Sequence, residues 1–221
     1  ELITRDGWLQ LHRSEETFKE AQVSAIDARN QGVEHNVLNL EELKAMEPSA
    51  NFEGFVGAIH WKNSWQVSNP SSLVKAYAKN FQDMQGTIKE SDVKEIVQDG
   101  EGWKIITDND TYYSDKLVIA AGPWSNDLIR PLGYNLPLFP MRGYHQHFKV
   151  TEKNTINHSM FDMDKGFVMG PMQQGIRITT GAEMTTMNAP KNFGQLKTVL
   201  KLAKKILPLE DAVESEAWAG S

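Results

Sequence analysis

Two histidines, His145 and His147, stand two positions apart in a run that reads as a strand, so both rings share a face and could hold a metal. No third ligand falls at a matching spacing, and a strand face carrying solvated or hydrogen-bonded imidazoles is the competing reading. Asp162 and Asp164, beside Lys165 and Gly166, hint at an oxygen-rich cation loop. The acidic spacing of a calcium loop is missing, which favours a turn. The segment Leu117-Val118-Ile119-Ala120-Ala121-Gly122-Pro123-Trp124-Ser125 offers different chemistry. A buried strand ending in small residues and glycine lets a ligand approach bare backbone, and ligands of α/β sheets bind at the carboxyl ends of such strands. An ordinary strand, turn and helix is the alternative. Lys197, Lys201, Lys204 and Lys205 line the polar face of an amphipathic helix. That helix either lies on an anionic membrane surface or packs its apolar stripe on its own domain and leaves the lysines in solvent.

Absences narrow the chemistry. With no cysteine there is no disulfide framework, thiol nucleophile or zinc–thiolate site. No G-x-S-x-G elbow, Walker loop or H-E-x-x-H occurs, and Gly54-Phe55-Val56-Gly57 lacks the paired glycine and preceding strand of a dinucleotide fingerprint. The 23 basic against 29 acidic residues give a net charge of −6, which argues against a nucleic-acid partner because phosphate contacts need a clustered basic excess. Forty per cent hydrophobic and 24% charged residues in 221 are the balance of a globular chain of one large or two small domains. The longest apolar run, Leu117 to Ala121, falls far short of the roughly 20 residues that span a bilayer. The chain opens without Met, basic n-region or apolar h-region and closes on a strand-like Glu216 to Ser221, so both ends read as cut from a longer protein.

The elements that must position these groups follow from periodicity and caps. Gly7 to Arg13 reads as a strand, after which Ser14 caps a helix with Glu15 and Glu16 in its first turn and Phe18, Ala21, Ala25 and Ala28 on one face. Asn39 with Glu42 is a capping box opening a short helix that ends before Pro48. Phe55 to Trp65 reads as a pair of short strands. Asn69-Pro70 starts a helix with a buried stripe of Leu73, Val74, Tyr77, Phe81 and Met84, ended by Gly86. Val93 to Val97, Trp103 to Thr107 and Thr111 to Tyr113 form an antiparallel meander, and Leu117 to Ala121 lacks alternation, as a strand buried on both faces does. Leu138 to Val150, Phe167 to Met169 and Ile176 to Thr180 are strands, followed by a helix with the stripe Leu196, Val199, Leu200, Ala203, Ile206 and Leu207. The fold class is α+β, a largely antiparallel mixed sheet with flanking helices.

At Leu117 to Ser125 the sequence resembles the FAD-dependent D-amino-acid oxidase superfamily, where an apolar run, Ala or Thr, Gly, a small residue or Pro, Trp and Ser recur. Arg142-Gly143-Tyr144-His145, the strand Gly175 to Glu183 and the ending Trp218-Ala219-Gly220 resemble that family's later motifs, in the family's order. The opening Arg5 to Leu9 with Ser14-Glu15-Glu16 looks most like the D-amino-acid dehydrogenase and glycine/sarcosine oxidase branch. The family's G-x-G-x-x-G strand and helix, and the Arg expected just after Trp-x-Gly, are not in these residues.

The resemblance implies a substrate-binding domain in residues 1–67 and 131–221, with part of an FAD-binding α/β domain in 68–130. It implies FAD as cofactor, with Val93 near the adenine, Ala120, Ala121 and Gly122 lining the cofactor by their backbone, and Trp124 packed near the flavin. Arg142 and Tyr144 are expected between the flavin edge and the substrate domain, and Phe167 and Met169 toward the substrate. An ion pair within the sheet is the other reading of Arg142, and ordinary core that of Phe167 and Met169. The implied reaction is oxidation of an amino acid's carbon–nitrogen bond by hydride transfer to flavin, with quinone or oxygen as electron acceptor and no metal. The implied location is cytoplasmic, with peripheral contact at the inner membrane as a further expectation. A non-catalytic interaction or membrane-apposed module is the alternative.

Overall fold

The computed structural model describes residues 2–221. In chain order its elements begin with β1 (Ile3–Thr4), β2 (Trp8–His12), α1 (Glu15–Asn30), β3 (His35–Leu38), α2 (Leu40–Met46), β4 (Gly57–Trp61) and β5 (Gln66–Val67). Next come α3 (Pro70–Asp83), β6 (Val93–Asp99), β7 (Gly102–Thr107), β8 (Thr111–Ser114) and α4 (Ser125–Ile129). The remainder is β9 (Met141–Phe148), β10 (Ser159–Asp162), β11 (Phe167–Met172), β12 (Gly175–Thr180), β13 (Glu183–Met184), α5 (Gly194–Ile206) and β14 (Trp218–Gly220). They fall into two compact units. The first runs up to Lys75 and continues in Arg142–Glu183 and Pro190–Gly220; the second comprises Ala76–Met141 and Met184–Ala189, with Ser221.

The first unit is built on one mixed sheet in the order β13-β9-β12-β11-β10-β2-β4-β3, with β14 also on β9. β10 and β2 run parallel, whereas β9–β12, β12–β11, β11–β10, β2–β4 and β4–β3 run antiparallel. Strand side chains alternate between the two faces, and the registers put Leu9, Met160, Met169 and Ile178 on one of them. Phe148, Tyr144, Phe167 and Ile176 join them in the main core, closed by Leu196, Val199, Ala203 and Ile206 of α5. The apolar stripe of α5 is therefore used within its own domain, and its lysines are left to solvent, which removes the apolar face that membrane contact would need. Among the described residues no helix is long and apolar enough to cross a membrane. Asp162 is buried on the covered face, where Arg13 pairs with it at 2.8 Å while the guanidinium lies 3.8 Å over the Phe55 ring.

The other face is covered only at one end. There Phe18, Ala21 and Ala25 of α1 pack on Ile59 of β4, and Trp61 Nε1 donates to Gln10 Oε1 at 2.7 Å. Over β10, β11, β12 and β9, among the described residues, the start of α3 at Pro70 and Ser71 is the one helical segment that borders this face.

The second unit holds the antiparallel meander β6-β7-β8, with α4 against β6. Here the structure corrects three expectations. Leu117 to Ala121 is not a strand: no neighbouring strand offers it hydrogen bonds, and Val118 is 87% exposed instead of buried. The α3 stripe is likewise open, with Val74, Tyr77, Phe81 and Met84 all exposed and no residue of the helix buried, because nothing among the described residues packs over it. The left-handed position that ends α3 is Gln85 (φ 67°), not Gly86. The Gln85 N–H bonds the Gln82 carbonyl and the Gly86 N–H bonds the Phe81 carbonyl, a Schellman pattern. A Cβ at 86 would meet the exposed Phe81 ring, which would have to turn away.

Candidate functional site

The uncovered sheet face carries the side chains that alternate with the core set. Val168 and Met172 of β11, Phe161 of β10, Trp8 of β2, Arg177 of β12, and His145 and His147 of β9 share it, with Phe161 opposite Val168 and Arg177 opposite His147. Two cavities open on this face. One, of about 370 Å³, is walled by Trp8, Trp65, Phe161, Val168 and Met172. The other, of about 360 Å³, is walled by Asn69, Ser71, His145, His147, Gln174 and Trp218. Pro70, Met172 and Arg177 line both. On the strand beside Arg177 the facing position is Gly170, which puts no side chain next to the guanidinium. A larger cleft of about 510 Å³ lies by the end of α5. Among its lining residues Arg13 is paired with the buried Asp162, and Asn51 bonds the Lys205 carbonyl and the Glu53 N–H.

The electrostatics of the open face centre on Arg177. No hydrogen bond or ion pair among the described residues engages its guanidinium, and burial lowers its pKa below the ordinary arginine value. Burial, then the neighbouring Arg177 and His147, holds His145 down to about 4, against a smaller upward pull from Glu214. His145 is therefore neutral at pH 7, and its ring stacks on Trp218 with centroids 4.7 Å apart. His147 is fixed by Glu214 at two points, Nδ1 to Oε1 at 2.5 Å and backbone N–H to Oε2 at 3.0 Å. Burial pushes the Glu214 carboxyl up, but these two bonds and the His147 charge bring it net below its ordinary value. The His145 and His147 rings do share a face, edge to face at 5.3 Å. Among the described residues no group of three or more His, Asp, Glu or Cys could hold a metal.

The four residues expected around a substrate lie on the opposite face. Arg142, Tyr144, Phe167 and Met169 have the parity of the α5-covered core, with Tyr144, Phe167 and Met169 each 1% exposed. Arg142 donates to the Pro190 carbonyl at 3.4 Å, and the Tyr144 hydroxyl donates to Glu183 and accepts from the Asn192 N–H. Their immediate strand neighbours, Val168 and His145, face the cavities instead. Arg177 was visible in the sequence only as part of a strand, since one chain cannot tell which parity its partners will cover. The residues expected around the cofactor all lie in the second unit: Val93 opens β6, and Ala120, Ala121, Gly122 and Trp124 lead into α4. Gly122 takes a left-handed φ of 54° with open space where a Cβ would point, Ala120 is exposed and Trp124 is 54% exposed. Small side chains, backbone at Ala120 that belongs to no helix or strand, and an unobstructed Gly122 make a surface that the flat, polar-edged body of a flavin nucleotide fits.

Residues 2–221 match the family model described as FAD dependent oxidoreductase. The chain is similar to the D-amino acid dehydrogenase of Chromohalobacter salexigens, at 27% identity over 222 residues covering 97% of this chain and 52% of that protein. It is similar to human peroxisomal sarcosine oxidase, at 30% identity over 148 residues covering 63% of this chain and 37% of that one. Among solved structures, glycine oxidase from Geobacillus kaustophilus superimposes with a TM-score of 0.84 at 24% identity, covering 99% of this chain and 59% of the other. The chain spans about half the length of the D-amino acid dehydrogenase it matches.

Proposed function

This chain belongs to the FAD dependent oxidoreductase family, and from that premise we propose that it is part of an enzyme oxidising the carbon–nitrogen bond of an amino acid, either a D-amino acid or a glycine- or sarcosine-like one. The chemistry supplied by bound FAD is acceptance of the hydride from the α-carbon, and the resulting imine hydrolyses. The observation that carries the reading is the unengaged Arg177 guanidinium, half-buried between two cavities on the uncovered sheet face. A guanidinium in that setting binds a carboxylate through charge-assisted, bidentate hydrogen bonds and fixes the orientation of the attached α-carbon. His145 is neutral beside it, so a ring nitrogen accepts a hydrogen bond from the substrate's amine without repelling it. His147 cannot swing away, since Glu214 holds both its ring and its backbone.

The residues that would hold FAD are the backbone from Ala120 to Gly122, with Trp124 and Val93 beside it, and the division into a substrate unit and a flavin unit is part of the same proposal. So is an electron acceptor, quinone or oxygen, that regenerates the flavin. The test is the visible spectrum of the complete natural protein, recorded without oxygen while a panel of D- and N-methyl amino acids is added. A flavin spectrum that bleaches with one of them is the expected result. Arg177→Gln should raise the concentration for half-bleaching about ten- to a hundredfold, the worth of a hydrogen bond to a charged partner. A protein that stays colourless with added FAD would overturn the proposal.

A further inference from the structure

We propose that the substrate's side chain is large and apolar, and that it occupies the cavity walled by Trp8, Trp65, Phe161 and Val168 while Arg177 holds the carboxylate at that cavity's edge. This rests on the amino-acid reading above and narrows it away from glycine and sarcosine.

The first support is chemical. Of the residues lining the cavity of about 370 Å³, Arg177 is the one with a charge, and the rest of the wall is dominated by aromatic and aliphatic side chains. Trp8 and Phe161 stand side by side, their ring centroids 6.4 Å apart, and together form an aromatic wall of the cavity. The second support is placement. Arg177 lies on the boundary between this cavity and the one carrying His145 and His147, so a carboxylate at Arg177 has an apolar space on one side and neutral imidazole on the other. An amino acid has that same arrangement: carboxylate at the centre, amine on one side and side chain on the other. The third support is space. Gly170, opposite Arg177 in register, puts no side chain beside the guanidinium, and a Cβ there would crowd Ser159 Oγ at 3.3 Å and Met172 Cε at 3.4 Å. A substrate with no side chain on its α-carbon would leave the aromatic wall in contact with water, and each methylene it lacks forgoes binding.

Two carboxylates that cannot be oxidised, acetate and phenylacetate, separate size from chemistry. Their binding to the oxidised complete protein is measured by calorimetry. Phenylacetate should bind at least about tenfold more tightly than acetate. Val168→Phe, which fills the cavity, should abolish the difference by weakening phenylacetate. Trp65→Ala, at an exposed position where folding is not at stake, should reduce the difference, and Arg177→Gln should weaken both ligands together. Equal binding of the two carboxylates, no binding of either, or a preference that survives both Val168→Phe and Trp65→Ala overturns the inference. Phenylacetate preference in a protein whose flavin no amino acid bleaches leaves the cavity assignment standing and sinks the amino-acid reading. Bleaching by glycine or sarcosine with equal carboxylate binding does the reverse.

Discussion

His145 carries no charge in the folded protein at neutral pH because its half-buried ring faces a guanidinium and a second imidazole. Once unfolded, it regains an ordinary pKa of 6.5. Between pH 6.5 and about 4 the unfolded chain therefore binds a proton that the folded chain refuses, and stability falls as pH is lowered through that window. Above pH 6.5 the contribution is fully present. His12 and His60, both lowered chiefly by burial, act in the same direction. Glu214, below its ordinary value, loses its contribution at still lower pH. Because part of the His145 ring stays near solvent, its share is on the order of 1–2 kcal/mol rather than the full shift. Urea midpoints at pH 7.5 and 4.5 should differ, and His145→Gln should shrink that difference without removing it. An unchanged difference would mean that the His145 ring is not buried near Arg177 in solution.

Helix caps act over three or four residues, and they are the elements that composition and spacing describe best. Asn39 Oδ1 accepts from the N–H groups of Glu41 and Glu42 while Glu42 Oε2 accepts from the Asn39 N–H, closing the box that starts α2. Asn39→Ala should cost about 1 kcal/mol in chemical denaturation, and adding Glu42→Ala should cost less than the sum of the two single changes, since both act on one motif. Ser14, the meander β6-β7-β8 and the α5 stripe were legible for the same local reason. β3 and β10 were not. Each is four residues long, and each exists because a distant partner supplies its hydrogen bonds, β4 for β3 and both β2 and β11 for β10. The α3 stripe shows the converse. Its periodicity is helical, and the helix forms, but periodicity cannot say whether anything lies against it.

Across the whole molecule, apolar side chains without cover gather in the second unit. Tyr77, Phe81, Met84, Val118, Leu138, Phe139 and Met141 are all exposed, and the extended run around Val118 presents backbone with no strand partner. Unsatisfied edges and apolar patches of that kind associate. Size-exclusion chromatography with light scattering on residues 1–221 should show a mass that rises with concentration, and Val118→Asp should lower it. A monomer at every concentration would count against the prediction. The family resemblance was legible because its motifs are short, contiguous and ordered along the chain, each recording a local backbone need such as the small residues before Trp124. The set of side chains on the open face was not legible. In a strand the period is two, so shifting the covered parity by one residue exchanges Phe167 and Met169 for Val168, and Tyr144 for His145. Which parity is covered depends on where α5 packs, and α5 lies far along the sequence from most of the strands it covers. From sequence alone came the strands and helices near their caps, the absence of cysteine and hence of thiol chemistry in these residues, and the family. Only the tertiary structure decided that Arg177 faces open space and Arg142 does not, because burial is a property of the assembled sheet and helix rather than of either segment.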